Sequence, residues 1–118
     1  MANDKDFVVS KDVEISKDSK VTIGTISNNA VDLSTGNFFT HTPSGSVTYT
    51  FNNPGAVQTF QMKLTGGASA AITWPNSVKY EGGTAPNAPG NGEIDTLTFT
   101  TDDGGTTYIG VLTGHNLS

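Results

Sequence analysis

The stretch IDTLTFTTDDGGTTYIGVL, residues 94–112, places two Thr-rich alternating runs on either side of Asp102-Asp103-Gly104-Gly105. Alternation with a period of two is typical of a β-strand with one buried face, and an Asp-Gly pair between two such runs is a strong hairpin signal. A type I′ turn needs positive φ at both central residues, which Asp and Gly tolerate best. The stretch therefore predicts a β-hairpin with a tight turn.

The same pattern of short alternating runs and turn residues continues through most of the chain, with turns such as Asn52-Asn53-Pro54-Gly55 and Gly66-Gly67. No stretch has the spacing of an amphipathic helix. Seven or eight short strands at this spacing predict an all-β fold, an antiparallel β-sandwich or jelly-roll-like domain. The predicted core consists of the apolar members of these runs: Phe39, Val47, Tyr49, Phe51, Phe60, Met62, Leu64, Ile72, Trp74, Leu97, Phe99, Ile109 and Val111.

The N-terminal part differs in composition from the rest, because lysines alternate there with acidic residues and apolar residues are sparse. Ordering a segment costs roughly 1 to 2 kcal/mol per residue, which so few apolar side chains cannot offset alone. We therefore predict a β-sandwich domain at 27–118 and a short extended N-terminal arm at 1–26. The arm either mediates assembly with another subunit or completes the sandwich of its own subunit. The candidate assembly residues are Val13, Ile15, Val21 and Ile23.

Residues 81–92, EGGTAPNAPGNG, have no apolar alternation and are rich in Gly and Pro, which predicts a long loop. Loops of this length in a compact domain are either contact loops or ordered crossings between strands. If this is a contact loop, the candidate contact residues are Glu81, Thr84, Pro86, Asn87 and Pro89.

Composition excludes several function classes. The chain of 118 residues has a net charge of −5, and its six basic residues are all Lys, so a basic surface for nucleic acid is not expected. The absence of Cys excludes thiol chemistry and Cys-based metal sites. No run is long enough to span a bilayer, and the N-terminus has no apolar signal region. We therefore expect synthesis in a cytoplasm and no membrane partner.

The candidate catalytic groups do not form a recognisable site in the sequence. His41 and His115 have no partner at metal-ligand spacing and are expected at the surface. Glu93 and Asp95 share a strand face, but nothing marks either as buried, and carboxylate pairs usually come from different strands. Without a nucleophile–base pair or a ligand cluster, the chain is predicted to have no enzymatic activity, metal or cofactor.

Trp74 is the only tryptophan of the chain and precedes Pro75. An exposed Trp at this position would offer a stacking platform for sugars, as in a carbohydrate-binding module. The alternative is a core anchor at a strand end, since Trp74 shares its parity with Ile72.

Three blocks carry a resemblance to a known family: AVDLSTGNFFTHTPSGSVTYTFNNPG at 30–55, ITWPNSVKYEGGTAP at 72–86 and LTFTTDDGGTTYIGVL at 97–112. They resemble a β-rich domain that is widespread in virion proteins of tailed bacteriophages, at the ends of tail-fibre-like proteins and in small virion proteins. This chain has Tyr80-Glu81 and Tyr108 where that family often has Trp-Pro and Trp, which leaves less aromatic surface for sugars. The family carries no known catalytic residues, so none is transferred.

The resemblance implies a virion structural protein made in the host cytoplasm and located on the virion. A small Cys-free β-domain with a short polar arm fits a capsid decoration (cement) protein, which would bind the major capsid protein or another virion protein as a homo-oligomer, most simply a trimer. One alternative is a tail-fibre or receptor-binding tip subunit. The second alternative, from a different class, is a carbohydrate-binding module.

Overall fold

The computed structural model describes residues 22–118, and its regular elements are ten β-strands and one short 3-10 turn at Glu81–Gly83. This confirms the predicted all-β, sandwich-like fold. The assembly candidates Val13, Ile15 and Val21 lie outside the described residues. The strands are β1 (Thr25–Ser27), β2 (Ala30–Asp32), β3 (Phe38–His41), β4 (Ser46–Thr48), β5 (Thr50–Asn52), β6 (Gln58–Thr65), β7 (Ala71–Thr73), β8 (Val78–Tyr80), β9 (Ile94–Thr101) and β10 (Tyr108–Leu117).

The largest sheet has five strands in the order β3-β6-β9-β10-β8, and two smaller sheets have the orders β1-β2-β5 and β4-β7. The pairs β1·β2, β6·β9 and β9·β10 are antiparallel, as the sequence predicts. Four further pairs are parallel: β3·β6, β8·β10, β2·β5 and β4·β7. The sandwich is therefore built from mixed rather than purely antiparallel sheets.

The two smaller sheets are joined by one continuous stretch of chain, in which β4 and β5 are separated by Tyr49 alone. The Tyr49 amide donates to the Thr73 carbonyl at 3.0 Å, on the β7 side. The next amide, that of Thr50, donates to the Asn29 carbonyl at 3.1 Å, on the β2 side. A single residue step thus moves the chain from one partner sheet to the other.

An aromatic cluster fills the space between the five-stranded sheet and the smaller sheets. The Phe51 ring makes edge contacts with Phe60, Phe99 and Tyr108, with centroids 5.0 to 5.1 Å apart. Burial of large rings is a major favourable contribution to folding, and edge-to-face pairs add about 0.5 to 1.5 kcal/mol beyond the buried area. These contacts confirm the predicted placement of Phe51, Phe60 and Phe99 in or against the core.

Trp74 belongs to this core. Its ring stacks on Tyr49 with centroids 5.1 Å apart, and only 8% of the residue is exposed. The core-anchor alternative is therefore correct, and no indole face is presented to solvent for a sugar. The carbohydrate-binding alternative loses the observation that motivated it.

The last strand has the opposite phase to the predicted one. Ile109 and Val111, which the sequence places in the core, are 53% and 50% exposed, whereas Tyr108 and Gly110 face inward and are buried. The physical reason is space: a Cβ at Gly110 would lie 3.0 Å from the Phe99 ring, so only glycine fits at this inward position. With Gly110 inside, alternation turns Ile109 and Val111 outward.

The hairpin of β9 and β10 is confirmed, but its turn is not a two-residue type I′ turn. Residues 102–107 separate the strands, and positive φ falls at the two glycines (71° and 92°) rather than at Asp103. The Thr101 hydroxyl accepts from the Gly105 amide at 2.9 Å and donates to the Asp103 carboxylate at 3.0 Å. That carboxylate also accepts from the Thr107 amide, which lowers the pKa of Asp103. Side-chain bonds therefore organise a longer turn.

Candidate functional site

An exposed apolar stripe runs along β10. A soluble domain usually buries most large aliphatic side chains, and contiguous apolar patches on its surface are characteristic of interaction sites. The phase of β10 turns Ile109 and Val111 outward, and the irregular end of the strand leaves Leu112 and Leu117 exposed as well. We define the β10 stripe as Ile109 (53% exposed), Val111 (50%), Leu112 (38%) and Leu117 (46%).

The sheet face around the stripe carries two threonine hydroxyls and one charged side chain, that of Lys79. Ile109 lies opposite Thr100, and Val111 lies opposite Thr98, while Lys79 on β8 is the neighbour of Ile109 on the other side. Covering a threonine hydroxyl costs much less than covering an unpaired charge. This face can therefore be covered by another protein surface at low desolvation cost.

One edge of β10 is open beyond its third residue. β8 pairs only with residues 108–110, so residues 111–117 have no backbone partner on that side among the described residues. A free strand edge presents unpaired N–H and C=O groups that can pair with an additional strand. The open edge and the β10 stripe occupy the same stretch of chain.

A groove of about 300 Å³ lies where the open edge begins, between β10 and the start of the long loop. Three of the predicted contact residues, Glu81, Thr84 and Pro86, line it. Asn87 is exposed and does not line it, and Pro89 is buried. The full lining is Tyr80, Glu81, Thr84, Pro86, Gly110, Val111 and Leu112, with Glu81 as its one charged side chain.

The far end of the loop is fixed to the end of β6. The Gly66 amide donates to the Glu93 carbonyl at 2.8 Å, and the Gly92 amide donates to the Gly66 carbonyl at 2.7 Å. The Glu93 carboxylate accepts from the Gly90 amide at 2.8 Å. A side chain at Gly66 would collide with the Gly90 carbonyl, so the close approach requires glycine. The loop is thus an ordered crossing that also forms a wall of the groove.

Tyr80 lines the groove and carries an unsatisfied polar group beneath it. Its hydroxyl is buried and has no hydrogen-bond partner among the described residues. Burial raises the pKa of Tyr80, so the phenol stays protonated at neutral pH and can donate a hydrogen bond. A buried donor without a partner costs about 1 to 3 kcal/mol, which a bound acceptor would recover.

The described chain begins at the opposite edge of the same sheet. The Thr22 carbonyl accepts from the amides of Asn37 and Phe38, and Ile23 forms an isolated parallel bridge with Phe38 of β3. Ile23, one of the predicted assembly residues, is 69% exposed. β1 (Thr25–Ser27) pairs with β2, so it spans the boundary that we predicted between arm and domain.

His41, which was expected at the surface, is half-buried. His41 Nδ1 and the Tyr49 hydroxyl form a hydrogen bond of 2.7 Å. Burial lowers the pKa of His41 and raises the pKa of Tyr49. This pair belongs to the core boundary and has the properties of a structural contact.

A second polar cluster holds the irregular end of β10. Asp95 is 1% exposed, which the sequence did not indicate, and its Oδ1 accepts from the Asn116 amide at 2.9 Å and contacts His115 Nδ1 at 3.0 Å. Glu93 binds the Gly90 amide and does not share this role. Residues 22–118 contain no group of three His, Cys, Asp or Glu side chains placed to hold a metal ion.

No helix within residues 22–118 is long and apolar enough to cross a membrane. No family model, no curated protein and no solved structure matches this chain.

Proposed function

We propose that this protein is a structural subunit of a tailed-bacteriophage virion, a capsid decoration protein that binds the outer capsid surface as an oligomer, most simply a trimer. The observation that carries the proposal is the β10 stripe together with the open edge beside it. A strand that leaves four aliphatic side chains exposed, two of them (Ile109 and Val111) side by side on the outer sheet face, has the properties of a surface that a neighbouring subunit covers.

The sequence blocks at 30–55, 72–86 and 97–112 supply the virion context, because they resemble the β-rich domain of phage virion proteins. Asp95 and the His41–Tyr49 pair serve backbone and side-chain contacts within the domain, and so they supply no reactive site that would compete with an assembly role.

Copy number in purified particles tests the proposal. We expect a stained gel of virions to contain this protein at a copy number of the same order as the major capsid protein. A copy number that is a small fraction of that value would instead favour the tail-fibre or receptor-binding tip alternative. Absence of the protein from purified particles would exclude a virion role.

A substitution in the β10 stripe connects the copy number to the surface. Ile109→Lys places a charge on the most exposed residue of the β10 stripe, and we expect it to prevent attachment to particles that lack the protein. Thr40→Lys is the matched control, since Thr40 is exposed on β3 at the opposite edge of the same sheet. Equal attachment of both variants would show that the stripe is not the binding surface.

A further inference from the structure

The open edge of β10 has specific requirements for whatever covers it. Its residues 111–117 need a partner that offers backbone N–H and C=O groups, which an extended strand supplies. Val111, on the outer face of the sheet, needs an apolar side chain beside it. Glu81 at the groove favours a positive charge on the partner.

The N-terminal segment at 8–21 of this chain, VVSKDVEISKDSKV, meets these requirements in its sequence. In an extended strand, alternate side chains point to opposite faces. One face would then carry Val13 and Ile15 with a lysine on either side, Lys11 and Lys17. The other face would carry the acidic residues Asp12, Glu14 and Asp18.

Charge favours one face of the segment where the open edge begins, because Glu81 lies beside Val111 there, whereas Lys79 lies beside Ile109 on the part of β10 that β8 already covers. The face with Val13 and Ile15 brings aliphatic side chains to the β10 stripe and a lysine toward Glu81. The opposite face would bring carboxylates toward Glu81, and like charges at this distance destabilise a contact. The same argument disfavours two β10 edges pairing with each other, because that contact supplies no positive charge from the stripe itself.

The position where the described chain begins indicates that the segment comes from another copy. Thr22 lies beside β3, and the open edge lies beyond β10, with β6 and β9 between them. At about 4.8 Å per strand, the segment would have to cross roughly 24 Å of sheet face to reach that edge in its own subunit. Such a crossing lays the backbone over side chains, where its amides find no ladder partners.

We propose that the open edge of β10 binds residues 8–21 of a second copy of this chain as an added strand. The face that carries Val13 and Ile15 packs against the β10 stripe. The inference rests on the proposed function in one respect, which is that the protein works as an oligomer. It names the segment and the surface that hold the oligomer together.

Disulfide trapping in the full-length protein tests this directly, because the natural chain has no cysteine. A chain with Val13→Cys or Ile15→Cys is mixed with a chain with Val111→Cys under mild oxidation. Residues opposite each other on paired strands have Cα atoms about 4.5 to 5.5 Å apart, within the range that a disulfide spans. The matched control replaces Val111→Cys by Thr40→Cys, on the opposite edge of the sheet.

We expect a disulfide-linked heterodimer with Val111→Cys and none with Thr40→Cys. If only Val111→Cys homodimers form, two β10 edges pair with each other and the proposal is wrong. If the link forms only when both substitutions are in one chain, the segment docks in its own subunit, which also overturns it. Failure to form any link overturns it as well.

Charge exchange gives a second readout that does not depend on oxidation. Glu81→Lys is expected to shift the oligomer toward smaller species in light scattering. Combining it with Lys11→Glu and Lys17→Glu is expected to restore the original size. If Glu81→Lys leaves the size distribution unchanged at low salt, Glu81 does not face the arm.

These outcomes separate the two proposals. Abundant protein on particles without the cross-link would refute arm docking at β10 and keep the decoration role. A clean cross-link in a protein that is absent from particles would refute the virion role and keep the arm contact.

Discussion

Replacing Phe99 with alanine is the sharpest test of the packing described above. Phe99 is fully buried, and its ring lies 5.2 Å from Phe60, 5.3 Å from Trp74 and 5.1 Å from Phe51, measured between centroids. The substitution removes ring surface from the centre of the sandwich and leaves a cavity that rigid aromatic neighbours cannot easily fill.

The expected loss is about 4 kcal/mol. Burying a phenylalanine side chain contributes roughly 1.5 to 3 kcal/mol by transfer alone. The residual cavity raises the cost of Phe→Ala to about 3 to 5 kcal/mol, and three ring neighbours place Phe99 in the upper half of that range. Because whole domains are stable by only about 5 to 15 kcal/mol, such a loss is a large fraction of the total.

Urea unfolding measures this loss through the fluorescence of Trp74, the single and buried tryptophan. With a slope of about 2 kcal/mol per molar urea, the midpoint should fall by about 2 M. Ile109→Ala is the matched control, since the sequence placed both residues in the core and the structure exposes Ile109. We expect Ile109→Ala to cost about 0.5 kcal/mol or less when measured on monomer at low concentration. Similar losses for the two variants would refute the observed phase of β10.

Three further outcomes are expected. Gly105→Ala should lower the melting temperature more than Gly104→Ala. A Cβ at Gly105 (φ 92°) would lie 2.6 Å from Pro54, whereas a Cβ at Gly104 (φ 71°) would meet open space. Equal shifts in melting temperature would argue against the contact with Pro54. Burial lowers the pKa of His41, so the unfolded chain binds a proton at this histidine more readily than the folded chain does. The free energy of unfolding should therefore be highest above about pH 6.5 and fall as the pH drops below that value. His41→Gln should reduce this decline in urea titrations from pH 7.5 to 5. Asp95→Ala should cost about 1 to 3 kcal/mol and release the Asn116 amide to hydrogen exchange, and an amide that stays protected would contradict the bond.

Alternation predicted the strands well where the runs were long. β6 and β9 each have eight residues, and their inward side chains, such as Phe60, Leu64 and Leu97, are buried as expected. The phase of β10 was ambiguous in the sequence, because both faces of that strand carry apolar residues. Only the space left beside Gly110, which depends on β8 and β9, decides which face is inside.

Short strands and long-range pairings were beyond a reading of local pattern. Val31 and Val78 are buried on β2 and β8, but each of these strands has three residues, too few for a period to be read. The four parallel pairs join strands that are distant in sequence, and no local signal specifies them. The role of Asp95 could not be predicted from local pattern either, because its backbone partner Asn116 lies on another strand.

The candidate site was predicted in part. The loop composition correctly drew attention to Glu81, Thr84 and Pro86, which line the groove. The β10 stripe was missed because Ile109 and Val111 had been assigned to the core, and Leu112 and Leu117 had been assigned no role. The open edge depends on where β8 stops, and that depends on the turn into the loop at Glu81–Gly83.

At Tyr49 the chain changes its pairing partner, because β4 before it pairs with β7 and β5 after it pairs with β2. This change of partner has a consequence for how the protein folds. The β9–β10 hairpin joins neighbouring residues and closes a short loop, so it can form early and locally. β4 and β5 have no partner until β7 and β2 are both in place, and each of those pairings closes a much longer loop. Folding rates fall as contacts become less local. We therefore expect the β9–β10 hairpin to form quickly and residues 46–52 to dock last. This docking should take roughly milliseconds to seconds, the range that is typical of β-sandwiches. During that interval the aromatic core around Phe51 stays open to solvent.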